Sequence, residues 1–193
     1  MAHTPKKLVT LATTNPGKVI SLQRAIEKYG IIVAHAEIEL PEPQTHDLEH
    51  IAQFKAAHAY KILQKPVISQ DSGFNLDAWP GFPGPFVKHA IQTLGNPGLL
   101  HLCKGLVRTC EFKECIAFVD GEDTTWFTSS IPGTLAQEVR GDLPKDAWSP
   151  LWQVFIPQGW GRTIAEMTPA QRERWRAERG NTCATQFAEW YSS

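Results

Sequence analysis

Apolar residues follow two spacings along this chain. Short runs rich in β-branched residues predict strands, and between them apolar residues recur at helical spacing. The run that begins at Val9 predicts a first strand, and the helix after it ends at Gly30. Residues 31–38 predict a second strand, and Asp47 can cap a long helix that continues to about Gln64. This alternation is typical of an α/β sheet with crossover helices.

Polar residues collect in the segments that follow the predicted strands. The proline-rich stretch 39–45, E-L-P-E-P-Q-T, predicts a loop, and residues 67–70 predict a short strand that leads into a D-S-G turn at 71–73. Residues 79–86, W-P-G-F-P-G-P-F, predict a rigid loop. Because ligands bind outside the carboxyl ends of strands in open α/β sheets, we expect the loops after the strands to reach one cleft.

The second half of the chain predicts strands, including one antiparallel hairpin, between two pairs of helices. A hairpin is expected over 111–128 because D-G-E-D at 120–123 separates two strand-like runs. The remaining elements are short helices at 86–94 and 97–104, strands at 135–140 and 153–156, and helices at 169–179 and 182–190.

The composition favours a single domain that covers residues 1–193. A chain of 193 residues with 42% hydrophobic residues is long enough for one well-buried core. A net charge of -1 without blocks of like charge argues against extended nucleic-acid binding, so an anionic partner is expected to be small. The sequence offers neither a signal peptide nor an apolar stretch of membrane-spanning length, and we expect a cytoplasmic protein that binds no membrane.

The cysteines do not form a metal or disulfide pattern. No C-x-x-C pair is present, and the spacing fits neither a zinc site nor a small disulfide framework. We therefore expect four reduced, buried thiols at Cys103, Cys110, Cys115 and Cys183.

The segment 9–18, V-T-L-A-T-T-N-P-G-K, is suited to holding phosphate. The first turn of a helix has backbone N–H groups without intrahelical partners, and the helix dipole adds partial positive charge there. Lys18 adds a full charge, and Thr13, Thr14 and Asn15 can hydrogen-bond an anion. The segment is not a Walker loop. A capped βα turn with a solvated lysine is the alternative.

Two carboxylates in predicted loops could hold a hard cation. Glu42 and Asp71 each follow a strand, and Mg²⁺ takes one or two protein carboxylates and completes its shell with water and substrate phosphate. Lys55 and Lys88 could direct further positive charge to the same cleft. The alternatives are a solvated Glu42, a turn-capping Asp71 and surface lysines whose apolar stems are buried.

The aromatic residues of 148–160 and the arginines of 169–179 can each be interpreted as structural or as ligand-binding residues. Most aromatic residues of 148–160 are expected in the core, with Trp148 the one placed to stack on a nucleobase. The arginines of the helix at 169–179 predict a solvated face from which at most one or two reach a ligand.

A zinc-peptidase signature is also present. His46, Glu49 and His50 match H-x-x-E-H, which needs both histidines on one helical face. Asp47 is the natural N-cap and would leave His46 outside the helix, and no third ligand is identified. A zinc peptidase therefore remains a remote alternative.

Four motifs follow one another along the chain: T-T-N-P-G-K at 13–18, L-P-E-P-Q at 40–44, Q-D-S-G-F at 70–74 and P-G-F-P-G-P-F-V-K at 80–88. In this order they resemble the motifs of the inosine triphosphate pyrophosphatase family, which removes deaminated purine nucleotides such as ITP and XTP. The resemblance implies a central twisted mixed β-sheet flanked by helices, with two lobes and a substrate cleft between them. It also implies a homodimer and Mg²⁺-dependent hydrolysis of a nucleoside triphosphate to a monophosphate and pyrophosphate.

The resemblance implies roles for individual residues. Glu42 and Asp71 would hold the metal, and Asp71 would also orient or deprotonate the attacking water. The residues that would neutralise or hydrogen-bond the triphosphate are Thr13, Thr14, Asn15, Lys18, Lys55, Ser72 and Lys88. The residues that fall near the family's base-contacting and helical motifs are Trp148, Ser149, Arg172 and Arg179.

The base-contacting motifs depart from the family pattern. The family's F-G-[WY]-D-P turn is D-A-W-S-P at 146–150, so Ser149 replaces an aspartate. The S-H-R signature has only R-A-E-R-G at 176–180 in its place, and Gln70 stands where an acid is usual. Discrimination between nucleobases falls steeply when the side chains that hydrogen-bond the base change. We therefore predict a pyrophosphatase with specificity shifted from ITP and XTP. A catalytically weak nucleotide-binding module is the alternative.

Overall fold

The computed structural model describes residues 7–193. The strands of this region are β1 (Lys7–Ala12), β2 (Ile31–Ala36), β3 (Val67–Leu76), β4 (Trp79–Gly84), β5 (Thr109–Val119), β6 (Thr124–Leu135) and β7 (Phe155–Pro157). The α-helices are α1 (Pro16–Ile26), α2 (Leu48–Leu63), α3 (Val87–Leu102), α4 (Pro169–Glu178) and α5 (Cys183–Ser192). No helix in this region is long and apolar enough to cross a membrane.

The strands form one mixed sheet. Their order is β2-β1-β3-β5-β6-β7, and β4 pairs with β3. β1 runs parallel to both β2 and β3, whereas β4 is antiparallel to β3 and β7 is antiparallel to β6. The predicted fold class, a mixed sheet with helices, is therefore confirmed.

Residue contacts divide the chain into two compact units. Unit 1 contains the described residues up to Asp71 together with Glu114–Ser129 and Asn181–Ser193. Unit 2 contains Ser72–Lys113 and Ser130–Gly180. The single domain over 1–193 stays a prediction.

The core of unit 1 forms where α1 and α5 cover strands of the sheet. Leu22 and Ile26 of α1 are buried with Leu11 of β1 and Phe187 of α5. The predicted helical spacing is confirmed, and the chain leaves this region through Gly30, whose φ of 73° lies in the left-handed conformation that glycine tolerates.

The core of unit 2 is built around aromatic rings. The Phe112 ring centroid lies 4.8 Å from those of Phe74 and Phe155 and 4.9 Å from that of Trp148. Trp152 is buried beside them. The prediction that most aromatics of this region belong to the core is confirmed for Trp152 and Phe155.

Two predicted loops are strands. The predicted turn at 71–73 is wrong, because β3 continues without interruption to Leu76, and the predicted loop at 79–86 is largely β4. Gly73 explains this pairing, since a Cβ there would lie 3.1 Å from backbone atoms of Gly84. The prolines of β4 are tolerated because proline occurs in strands mainly at sheet edges.

Other boundaries in unit 2 also differ from the prediction. β6 ends at Leu135, so the strand expected over 135–140 is absent, and β7 begins only at Phe155 because Pro150–Gln153 forms a 3-10 turn. The two short helices expected around Gly95 are present as the halves of α3. They meet at Gly95, where φ is 61° and ψ is 179°. Next to this kink, the Asn96 side chain donates a hydrogen bond to the Pro150 carbonyl at 2.9 Å.

All four cysteines are free and buried, as predicted. Burial raises the pKa of the Cys110 thiol, and burial together with nearby Glu49 and Asp71 raises that of Cys115 to about 12. Because thiolates are the reactive form, we expect no labelling by iodoacetamide at pH 8 in the native protein. Mass spectrometry in denaturant should detect four labelled thiols, and modification of the native protein would contradict the burial.

Candidate functional site

The junction of β1 and α1 is a capped turn. Asn15 is the N-cap of α1, and its Oδ1 accepts a hydrogen bond from the Gly17 N–H at 2.9 Å. Thr13 Oγ1 accepts one from the Asn15 N–H at 3.1 Å, and Thr14 is exposed. The capped-turn alternative is therefore right about the local geometry, and the helix N-terminus lies beside these polar side chains.

Lys18 is not the solvated lysine of that alternative. Its Nζ donates a hydrogen bond to the Gln70 carbonyl at 2.8 Å and lies 3.7 Å from Asp71 Oδ1. Only 16% of the Lys18 side chain is exposed. The parallel pairing of β1 with β3 brings the two segments together, because α1 starts where β1 ends and Asp71 lies further along β3.

Lys55 bridges the two carboxylates that the sequence singles out. Its Nζ lies 2.6 Å from Glu42 Oε1 and 3.4 Å from Asp71 Oδ1. The side chains of Lys55 and Asp71 are 12% and 13% exposed, whereas Glu42 is 56% exposed. Lys55 is thus not a surface lysine, and Asp71 lies within a strand and is not a turn cap.

The two lysines have opposite pKa shifts. Burial lowers the pKa of Lys18, and the attraction of Asp71 does not offset this effect. Burial also acts to lower the pKa of Lys55, but Asp71 and Glu42 together outweigh it, so that pKa is raised. Lys55 is therefore held as a cation by its two carboxylate neighbours.

Two further residues adjoin this cluster, of which Glu114 was not recognised from the sequence and Gln70 was noted only as a departure from the family pattern. Glu114 is buried on β5, and its charge acts on Lys18. The available signal was the alternation of β5, in which Glu114 takes the place expected for an apolar residue after Cys110 and Phe112. Gln70 presents its carbonyl to Lys18, and its Oε1 is buried without a hydrogen-bond partner among the described residues.

The other candidates lie in unit 2 or at its border. Ser72 follows Asp71 on β3, and Lys88 is exposed in the first turn of α3. Trp148 is half-buried, with its ring 4.9 Å from Phe112 and 6.0 Å from Trp152. Ser149 is buried and accepts a hydrogen bond from the Leu151 N–H, so its hydroxyl caps its own 3-10 turn.

The arginines of α4 divide into exposed and buried members. Arg174 is exposed and pairs with Glu178, as expected of a solvated helix face. Arg172 is buried and donates a hydrogen bond to the Met167 carbonyl at 2.5 Å. The Arg179 guanidinium lies 5.1 Å from the ring centroid of Trp175.

The zinc-peptidase motif does not form its required face. Asp47 is the N-cap of α2, so His46 lies before the helix while His50 lies in its first turn. Within residues 7–193, no group of three His, Cys, Asp or Glu side chains could hold a metal ion.

The mixed sheet and its helices make this chain an α/β protein. The charged cluster beside the first βα turn is its candidate phosphate-binding site. Residues 9–187 match the model of the Ham1 family, and the chain belongs to that family. The family resemblance predicted from the motifs is thereby confirmed.

Known proteins align with almost the whole chain. A dITP/XTP pyrophosphatase of Methanopyrus kandleri is 34% identical over 187 residues, which is 96% of both chains. Inosine triphosphate pyrophosphatase 2 of Trypanosoma cruzi is 32% identical and aligns with 86% of this chain and 84% of its own. A HAM1 protein structure from Coxiella burnetii has a TM-score of 0.77 at 21% identity, covers 96% of this chain and 98% of its own, and supports the fold.

Proposed function

We propose that this protein is a nucleoside triphosphate pyrophosphatase, which hydrolyses a triphosphate to the monophosphate and pyrophosphate. The observation that carries the proposal is a charged cluster beside the N-terminus of α1, in which Lys18 and Lys55 both lie near Asp71 and Lys55 also pairs with Glu42. Alternating positive and negative groups at a helix N-terminus suit a polyphosphate and its counterion. The names of the dITP/XTP pyrophosphatase relatives support the same reaction.

The residues present fit a magnesium ion. Glu42 Oε1 and Asp71 Oδ1 both lie within 3.4 Å of one cationic nitrogen, so their charges already converge on a cation. Two carboxylate oxygens are the hard donors that Mg²⁺ takes from proteins, with water and phosphate as its other ligands. We propose Glu42 and Asp71 as its ligands, where the ion would supply charge stabilisation to the phosphate oxygens.

The lysines and the first turn are proposed to bind the triphosphate. Lys18 and Lys55 would neutralise phosphate oxygens, and the side chains proposed to hydrogen-bond them are Thr13, Thr14, Asn15 and Ser72. Asp71 is proposed to accept a proton from water as that water attacks the α-phosphorus. The bond from this phosphorus to the bridging oxygen then breaks, and pyrophosphate leaves.

We propose that the base preference differs from that of ITP and XTP enzymes. The proposed substrate contacts near the family's base-contacting and helical motifs are Trp148, Ser149, Arg172 and Arg179, whereas Lys88 is proposed to neutralise the triphosphate. Ser149 supports the shift, because its short hydroxyl already caps a turn and cannot replace an aspartate that reads a purine edge.

A substrate panel tests the reaction and its specificity. Purified protein with Mg²⁺ should release pyrophosphate from at least one standard, deaminated or modified triphosphate. Rapid and selective ITP hydrolysis would contradict the specificity shift. Removal of divalent ions by EDTA should abolish turnover, and added Mg²⁺ should restore it.

A catalytically weak nucleotide-binding module is the second candidate. The buried Gln70 Oε1 without a described hydrogen-bond partner favours it, because an amide stands where the family usually has an acid. Calorimetry would then detect tight triphosphate binding without product. We also propose a cytoplasmic homodimer that acts on free nucleotides and not on nucleic acid, and sedimentation analysis would test the dimer.

A further inference from the structure

The bridge that Lys55 forms between Glu42 and Asp71 supports an inference about how the metal ion and the nucleotide bind. We propose that Lys55 takes the place of the divalent cation in the ligand-free protein, and that it moves from the carboxylates to the triphosphate when metal and nucleotide bind. Metal binding and nucleotide binding are then linked through one side chain. This inference rests on the proposed function.

The contacts of Lys55 support such an exchange. One ammonium group joins Glu42 of an irregular segment to Asp71 of β3, at 2.6 Å and 3.4 Å. The backbone of Lys55 is fixed, because α2 is capped by Asp47 and buries the flanking Ala52 and Ala56. Its four-carbon stem, in contrast, lets the ammonium group change partners without a movement of the helix.

Because the Lys55 side chain is buried, moving its ammonium group away from the two carboxylates costs free energy. Only 12% of the Lys55 side chain is exposed, so an ammonium group displaced by a metal ion alone would lose both partners with little water to replace them. A triphosphate supplies new anionic partners for the same group. Metal should therefore bind weakly by itself and tightly with nucleotide, and by linkage the metal should strengthen nucleotide binding equally.

Lys18 provides an internal comparison. It lies 3.7 Å from Asp71 and donates to the Gln70 carbonyl, and it is also mostly buried. Its removal takes one positive charge from the same cluster but leaves the Lys55 bridge in place. Lys61 is an exposed lysine in the last turn of α2 and serves as a surface control.

Calorimetry with MnCl₂ tests the exchange. Titrations are made with and without an α,β-methylene triphosphate of a nucleoside that the enzyme hydrolyses, or of ITP if none is hydrolysed. In the wild type, the analogue should increase Mn²⁺ affinity at least about tenfold. Lys55→Met should bind Mn²⁺ alone at least about tenfold more tightly than the wild type. The increase on adding the analogue should fall at least about threefold below the wild-type increase, and direct ligation of the ion by phosphate accounts for what is left.

The comparison variants separate the bridge from general charge effects. Lys18→Met and Lys61→Met should both keep the wild-type increase on adding the analogue. Lys55→Gln repeats the measurement if Lys55→Met does not fold. Unchanged metal affinity in the Lys55 variants, or an equal effect of Lys18→Met on the metal–analogue coupling, would overturn the inference.

Pyrophosphate release by the same wild-type preparation distinguishes the two possible failures. Turnover together with independent binding of metal and analogue would overturn the role of Lys55 alone. Absence of turnover with every triphosphate of the panel would overturn the proposed function, whatever the calorimetry gives.

Discussion

Replacement of Asp71 by asparagine is expected to lower kcat/KM for triphosphate hydrolysis by at least about 10²-fold. The reason is that Asp71 Oδ1 is contacted by both Lys18 and Lys55 and is proposed to serve both metal and water. An amide has nearly the same shape but cannot accept a proton or supply the negative charge. The measurement is the initial rate of pyrophosphate release at saturating Mg²⁺.

The control for this variant is Asp142→Asn, which changes an exposed carboxylate of unit 2. It should retain wild-type turnover. Far-UV circular dichroism and a thermal melt establish whether Asp71→Asn is folded. A folded Asp71→Asn variant with activity near the wild type would remove Asp71 from the mechanism.

Phe112→Ala is expected to lower the free energy of unfolding by about 3–5 kcal/mol. Phe112 is buried at the centre of the unit 2 core, where its ring contacts Phe74, Phe155 and Trp148. Truncation removes the transfer free energy of the ring and leaves a cavity among large side chains that cannot close it. Urea unfolding followed by tryptophan fluorescence measures the change.

A second phenylalanine gives the matched control. Phe54 on α2 is 40% exposed, and Phe54→Ala should cost less than about 1 kcal/mol, because surface substitutions have small effects. Equal losses in the two variants would mean that the aromatic cluster of unit 2 is not a main source of stability.

The helices could be predicted because their signals are local. Asp47 caps α2 and Gly30 ends the first helical region, and both act through hydrogen bonds or backbone angles within a few residues. The same applies to Thr168 and Thr182, which begin α4 and α5 with capping boxes. Such signals do not depend on how the rest of the chain folds.

Strands that contain turn residues could not be predicted in the same way. Asp71, Ser72 and Gly73 are typical of turns, but they lie inside β3, whose following residues 74–76 pair with β4. That pairing requires Gly73 to face Gly84 at close range, which is a relation between two segments and not a property of either. Tertiary contacts therefore override the local preference.

In the candidate site, too, local features could be predicted from the sequence whereas contacts between distant segments could not. The chemical types of Glu42, Asp71, Lys18 and Lys55 could be recognised from the sequence. Glu42 and Lys18 follow strands, Lys55 lies in a predicted helix, and Asp71 was expected in a turn but lies in β3. Their pairing could not be recognised, because the Lys55 contacts depend on the packing of α2 and the Lys18–Asp71 contact depends on the register of β1 with β3. Glu114 was missed because its strand reads as a core strand.

The kink of α3 ties the Trp148–Ser149 turn to a distant part of the sequence. Asn96 reaches the Pro150 carbonyl from the residue after Gly95, whose φ of 61° a branched side chain would not adopt. The position of the turn thus depends on an interrupted helix more than fifty residues earlier in the sequence. A substitution of Gly95 is therefore expected to displace the turn even though Trp148 and Ser149 themselves stay unchanged.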